Sequence, residues 1–279
     1  MNSLPIGVFD SGIGGLTVVN AIQRHLPNED IIYVGDTARV PYGSRSPGTV
    51  IEYATQIASY LDNAGVKEIL VACNTASAVA LETVASQTSL PVSGVIVPGA
   101  EAAANLTTTG PIGVIATRAT ITSNAYRNAL RKTAPATEVV SVATPLLVPL
   151  IEEDCIDESF TMEILQHYFV SSRLNECSSL ILGCTHYPLL VEQIARVFGK
   201  PVADTPTATA LALAQNLSQR NARNKSDEQG SLSVLLTDDA DRSLEIVSRR
   251  LGVRITTTKK IELPELNVRE SRPSDSSGL

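Results

Sequence analysis

Short apolar runs alternate with helix-like stretches along nearly the whole chain, and this alternation constrains the fold more than any other feature. The runs at 6–9, 31–34, 68–72, 92–97, 112–116, 138–142, 180–182, 233–236 and 254–258 read as strands. Between them, 16–26, 47–63, 76–86, 100–106, 121–132, 158–174, 189–198, 208–219 and 242–251 read as helices; the first has apolar residues at 16, 18, 19, 22 and 26. Such alternation implies an α/β fold with mostly parallel sheets, because the crossover helices cover both sheet faces. Ser46-Pro47 supplies an N-cap and a first-turn proline, and Gly65 a stop. The stretch ARVPYGSRSP (38–47) is too rich in Pro, Gly and Ser for regular structure. Asp238 or Asp239 is expected to cap the last helix.

An internal repeat runs through the pattern. Ile6-Gly7-Val8 returns as Ile112-Gly113-Val114 at an offset of 106, and Pro91-Val92 as Pro201-Val202 at 110. Cys73-Asn74-Thr75 is echoed by Cys184-Thr185-His186 at 111. Three matches in order at nearly constant spacing imply two similar α/β lobes.

Two of the four cysteines end apolar runs, Cys73 in LVACNTASA and Cys184 in LILGCTHYP. Each is expected at the carboxyl end of a strand, where ligands sit in open α/β sheets. Each should also lie near a helix N-terminus, which favours negative charge and so a thiolate. Cys155, in an acidic turn, and Cys177, after a long helix, lack this setting and read as structural. Facing lobes would put Cys73 and Cys184 on opposite walls of one cleft. Two acid–base groups on opposite faces of a substrate are what inversion of a carbon stereocentre requires. One thiolate removes the Cα proton while the opposite thiol delivers one to the other face. An ordinary thiol pKa of about 8.5 suits either role after modest tuning. Asn74, Thr75 and Thr185 offer donors for a substrate carboxylate. Asp10, beside Ser11 at the end of the first strand, could assist proton transfer or hold a substrate ammonium. His186 could support Cys184 as an imidazole partner.

Composition narrows the function classes. The 279 residues, 43% hydrophobic, can bury a sizeable core in one large or two modest domains. A formal charge of −7 without a Lys/Arg cluster argues against nucleic acid and anionic membranes as partners. No apolar run is long enough to span a bilayer, and no basic region precedes the first strand, so neither a membrane span nor a signal peptide is expected. A reducing cytoplasm fits best, since no disulfide framework is visible. No metal is expected, because no His/Cys grouping has zinc spacing. GIGG does not match G-x-G-x-x-G, and neither a phosphate loop nor a pyridoxal-phosphate lysine is recognisable, so no cofactor is expected. From Arg269, RESRPSDSSGL has no large apolar residue before Leu279 and reads as a disordered tail.

The segments DSGIGGLTV (10–18), GDTARVPYGSRSP (35–47), ACNTASA (72–78) and LGCTHYPLL (182–190) resemble the motif set of glutamate racemase, in the cofactor-independent Asp/Glu racemase superfamily. VPGA (97–100), ATRATI (116–121) and PLLVPLIEE (145–153) fit as well, and the resemblance spans about residues 5–265. It implies two pseudo-twofold-related lobes, 1–97 with 207–265 and 98–206, an active site in the cleft between them, and a tail at 266–279. It implies two-base interconversion of L- and D-glutamate, supplying D-glutamate for peptidoglycan, with Cys73 acting on the D and Cys184 on the L enantiomer. Asp10, Ser11, Tyr42 and Gly43 carry over as substrate-contacting positions, as do Asn74, Thr75, Thr185 and His186. Asp10 and His186 would also assist the cysteines, and Glu152 would have an auxiliary role near the second. A homodimer is the implied assembly. In ADTPTATA (203–210), Thr205 stands where the family often has Ser and keeps the hydroxyl. Aspartate racemase is the nearest alternative; His186 favours glutamate, since the aspartate enzymes commonly carry Glu there. A hydrolase with one nucleophilic Cys would leave the second motif idle, and a two-lobed binding protein would hold glutamate without exchanging its Cα proton.

Overall fold

The structure is a computed structural model and describes residues 2–107 and 109–263. The strands are β1 (Ile6–Asp10), β2 (Ile31–Gly35), β3 (Glu68–Val71), β4 (Val92–Gly94) and β5 (Ile112–Ala116). They continue with β6 (Val139–Ala143), β7 (Ser179–Gly183), β8 (Val202–Ala203), β9 (Leu232–Leu236) and β10 (Thr257–Lys260). Two sheets result, in the orders β10-β9-β2-β1-β3-β4 and β6-β5-β7-β8. Every pairing is parallel.

The duplication read from the sequence is visible in these orders. β2-β1-β3-β4 and β6-β5-β7-β8 are the same arrangement, each strand of the second sheet standing four places later in the chain. β9 and β10 then extend the first sheet beyond β2, with Gly35 in register with Leu236. The tail expected at 266–279 lies outside the described residues.

Strands β1, β3, β5 and β7 are buried along their whole length. Helices on both faces cause this, so successive side chains enter different cores. In β1, Val8 packs with Leu16, Ile22 and Leu213, whereas Phe9 packs with Ile57, Leu61 and Val71 on the other face. Fully burying such side chains stabilises the fold by about 1.5–3 kcal/mol each. The second lobe repeats the plan, with Leu180 and Leu182 of β7 in one cluster and Ile181 in another.

Several boundaries differ from expectation for local reasons. The strand expected at 92–97 stops at Gly94, and a helix spans Ile96–Leu106. Pro98 falls in its first turn, where a missing N–H costs nothing. The helix expected from 121 begins at Arg118 and breaks after Thr122, where Asn124 is left-handed at φ 57° before Ala125–Thr133. The stretch at 76–86 divides into Asn74–Val79 and Leu81–Gln87. The helix expected at 158–174 is Ser159–Val170, followed by a 3-10 turn at Arg173–Glu176. The 38–47 loop holds short 3-10 turns at Thr37–Arg39 and Tyr42–Ser44.

The final strand sits at Thr257–Lys260 rather than 254–258. It is an exposed edge whose polar TTKK composition hides it from a hydrophobic pattern while discouraging edge-to-edge pairing. Among the described residues, the last helix, Asp241–Leu251, has no side-chain cap: its N-cap position is Ala240, and Asp238 pairs with Lys260 at 2.7 Å. PLLVPLIEE contains an unanticipated helix, Leu147–Glu152, which points its C-terminal residue toward the lobe boundary.

Candidate active site

The carboxyl ends of β1, β3, β5 and β7 converge on one cleft of about 220 Å³. Cys73 follows β3 and Cys184 follows β7, and both line this cleft. Their local settings differ more than the sequence suggests. Cys73 is the N-cap of Asn74–Val79, its Sγ accepting from the Ala76 N–H at 3.5 Å. Beyond Cys184 comes a 3-10 turn, Tyr187–Leu190, before the helix Val191–Phe198, so the expected α-helix terminus is absent there. His186 takes that place instead, with Nδ1 3.9 Å from Cys184 Sγ.

Ser11, Tyr42, Gly43, Asn74, Thr75, Thr185, His186 and Glu152 all line the same cleft. Asp10 does not. It is fully buried behind the wall, accepting from the Gly12 N–H at 2.9 Å and from the Thr185 hydroxyl at 3.1 Å. Its place follows from β1, which carries it to the strand end, and from Thr185 reaching across from the other lobe. Thr17 tightens the same junction by donating to the Thr185 carbonyl at 2.9 Å. Gly14 is needed where it stands, since a Cβ there would sit 2.5 Å from His186 Nδ1.

On the opposite side, Thr75 shares its hydroxyl with Thr117 at 2.9 Å and with Thr120 at 3.2 Å. Asn74 donates its amide to the Tyr126 hydroxyl at 2.7 Å. The Tyr42–Ser44 turn lies against Thr117 so closely that a Cβ on Gly43 would be 2.7 Å from the Thr117 Cβ. Asp36, fully buried, holds that turn in place. It accepts from the Tyr42 hydroxyl, pairs with Arg39 Nε at 2.7 Å, and accepts from Thr237 at 2.9 Å.

The electrostatics of the two walls are unlike. Burial pushes the Cys73 thiol up to about 12; the nearby Asp10 adds to this, while the Ala76 N–H and Ser11 oppose it. Burial also holds the Asp10 carboxyl above the usual range, only partly offset by His186 and its hydrogen bonds. For His186 burial works against the cation, but Cys184 and Glu152 outweigh it and raise the imidazole to about 10. Glu152 Oε1 lies 3.2 Å from His186 Nε2 yet off the hydrogen-bond axis, so the contact is an ion pair and Nε2 has no hydrogen-bond partner among the described residues. Cys177 is buried in the second-lobe core and Cys155 is partly exposed; neither reaches the cleft, and all four thiols are free.

Thr117, Tyr126 and Asp36 were missed as site residues by reading the sequence. A signal for Thr117 existed, because the repeat offset of 106 that carries β1 onto β5 also carries Ser11 onto Thr117. Tyr126 acts through Asn74, distant in sequence, and left no such mark; Asp36 lies inside the GDTARVPYGSRSP motif, close in sequence to its partners Arg39 and Tyr42, and so was within reach.

A doubled parallel fold with paired thiols at matching strand ends defines a class. The chain belongs to the Asp/Glu/hydantoin racemase family, whose model matches residues 6–213. The glutamate racemase of Geobacter metallireducens is 43% identical over 260 residues, covering 92% of this chain and 96% of that protein. The crystal structure of glutamate racemase from Francisella tularensis in complex with D-glutamate superposes with a TM-score of 0.87 at 36% identity, covering 94% of this chain and 98% of that one. That of the Thermus thermophilus enzyme with β-chloro-D-alanine gives 0.85 at 39% identity, covering 95% and 99%. Among the described residues, no helix is long and apolar enough to cross a membrane.

Proposed function

We propose that the chain interconverts L- and D-glutamate through two thiols acting from opposite walls of the cleft, without a cofactor. The observation that carries this reading is the matched placement of Cys73 and Cys184 after equivalent strands of two repeated sheets, both facing one cavity. Glutamate as substrate follows from the related racemases and from the D-glutamate complex. D-Glutamate made in this way supplies peptidoglycan synthesis. With its thiols free, the chain is suited to the reducing cytoplasm. We assign one lobe to 1–97 with 207–265 and the other to 98–206.

Starting from L-glutamate, the Cys184 thiolate takes the Cα proton and the Cys73 thiol delivers its own to the opposite face. The product is D-glutamate, with Cys184 now protonated and Cys73 ionised; the reverse reaction restores both. A Cys73 raised to about 12 keeps its proton at neutral pH, as a donor to the second face must. A His186 that stays protonated places a positive charge beside Cys184, the partner a thiolate there needs. Ser11, Asn74, Thr75 and Thr185 offer polar groups to the α-carboxylate and ammonium, and fixed donors stabilise the developing carbanion. Asp10 acts from behind, fixing Thr185 and biasing the proton on Cys73.

Proton exchange at Cα tests the reading. The reduced protein is incubated in heavy water with L-glutamate or L-aspartate, with no cofactor added, and followed by NMR. Loss of the glutamate Cα signal with appearance of the D enantiomer is expected, and preferentially over aspartate. No exchange with either amino acid would refute it.

A further inference from the structure

The helix Leu147–Glu152 holds Glu152 against His186 with few resources of its own. It is six residues long, contains Pro149 and has no side-chain N-cap, and a helix this short is not stable by itself. Glu152 reaches His186 as an ion pair at 3.2 Å while its side chain is 37% exposed. Its place is therefore set by what fastens the helix from outside. Leu147 and Ile151 are buried and anchor the inner face. The C-terminal end is fastened from the other lobe.

Just beyond Glu152 the chain turns back at Asp154, left-handed at φ 57°. The Asp154 N–H donates to the Ile151 carbonyl at 3.1 Å and the Cys155 N–H to the Leu150 carbonyl at 2.8 Å, which closes the helix end. Arg250, in the last turn of Asp241–Leu251, grips the Asp154 carboxylate at this turn. Its Nε and Nη2 donate to Oδ1 at 2.9 and 2.6 Å, and Nη2 also donates to Asp157 Oδ2 at 3.1 Å. Arg249 reaches Asp154 Oδ2 at 3.1 Å, and Arg242 lies 3.7 Å from Glu153. From the second lobe, Gln193 donates to Asp157 Oδ1 at 3.1 Å. Leu244 and Val247 of the arginine helix pack in the core cluster of Val8 and Leu16, so Arg250 moves with the first sheet. Isolated surface ion pairs contribute little, but a guanidinium only 26% exposed and shared between two carboxylates fixes a geometry.

We propose that Arg250 is a positioning residue for Cys184: by fastening Asp154 from the opposite lobe, it keeps Glu152 beside His186 and so keeps the imidazolium beside the thiolate. The inference rests on the two-thiol reading. The ion pair next to one cysteine then depends on a clasp made by the lobe that carries the other. Cys184, Glu152 and, behind the wall, Asp10 are the titratable groups facing His186. Asp154, Asp157 and Arg249 surround Arg250, and Arg24 and Asp204 line the adjoining cavity.

The test follows Cα exchange from L-glutamate against pH in the unaltered protein, Arg250→Ala, Arg250→Lys and Asp154→Asn. Arg250→Ala should lower exchange about 3- to 10-fold, as a small displacement near the chemistry does, and move the alkaline limb set by His186 to lower pH. Arg250→Lys keeps the charge but not the fork, and its limb should fall between the two. Asn tolerates the left-handed turn, so Asp154→Asn removes the charge without breaking the backbone and should also lower the limb. That shared direction separates positioning from a through-space effect. Removing a positive charge at 250 would by itself disfavour the neutral imidazole and raise the limb, whereas removing a negative one at 154 would lower it. In a Glu152→Gln background, Arg250→Ala should cost less than about twofold more, because the contact it maintains is already gone. Should Arg250→Ala fail to fold, Arg250→Lys carries the same reading: a lowered limb supports positioning and an unmoved one overturns it. A limb in Arg250→Ala that stays in place or rises, or a full further loss in the Glu152→Gln background, would overturn the proposal and leave the two-thiol reading standing. Absence of exchange in the unaltered protein would instead overturn both.

Discussion

Thr185 donates its hydroxyl to Asp10 across the lobe boundary at 3.1 Å, so the residue after the second cysteine is fastened to the strand end beside the first. Asp10 is fully buried and the bond is shielded from water. Each thiol is therefore positioned partly by the other's lobe, and the two halves of the site are set together.

The two thiols should fail in opposite directions. Cys184→Ser removes the base for L-glutamate and Cys73→Ser the base for D-glutamate, because a serine hydroxyl is far too weak an acid to replace either. Starting from the corresponding enantiomer, Cα exchange should fall by at least about 10²- to 10⁴-fold, the range of one acid–base group. Measurement from both pure enantiomers checks the assignment.

His186 gives a pH signature. Its imidazole is raised to about 10, so its cation is present at neutral pH and disappears as pH climbs through that value. The rate should carry an alkaline limb that His186→Gln removes, and Glu152→Gln should move that limb to lower pH. Linkage gives the sign for stability. The raised imidazole stabilises the fold fully below its unfolded pKa of about 6.5, and this contribution is lost as pH rises toward the folded value. The melting difference between the unaltered protein and His186→Gln should accordingly be largest in mild acid and shrink toward pH 10.

Gly14→Ala should damage the Cys184 side selectively. The new methyl would lie 2.5 Å from His186 Nδ1 and 2.6 Å from Thr185 Oγ1, and overpacking of this kind costs about 1–3 kcal/mol. Displacing His186 should lower exchange from L-glutamate by about 10-fold or more, since small misplacements near the chemistry are expensive. Comparing initial rates from the two enantiomers reads this out.

Asp36→Ala should loosen the Tyr42–Ser44 turn without touching either thiol. The substitution removes the acceptor shared by Arg39, Tyr42 and Thr237, and breaking a largely buried pair of this kind costs about 3 kcal/mol. Denaturant unfolding gives the stability change, and KM for glutamate should rise as the turn moves away from Thr117.

The sheet pattern, the repeat and both cysteines were legible because strands buried on two faces, such as SLILG, leave nearly continuous apolar runs. The β10 strand was misplaced because TTKK is an exposed edge with no such run. The helix Leu147–Glu152 was hidden by Pro149 within it and Pro145 just before it, although Glu152 itself was recognisable by resemblance. Asp10 was expected to face the substrate. It stands behind the wall because Thr185, from the other lobe, covers it, and such contacts between distant segments leave no local periodicity.

The pairing of β2 with β9 has a consequence for synthesis. Until β9 is made, β2 is the bare edge of an incomplete sheet, its hydrogen-bonding groups open to any other extended segment. The inserted lobe, by contrast, has all four of its strands as soon as β8 emerges. Translation therefore completes the inner lobe before the outer one, and the nascent chain is most exposed to aggregation in the interval before residue 236 leaves the exit tunnel.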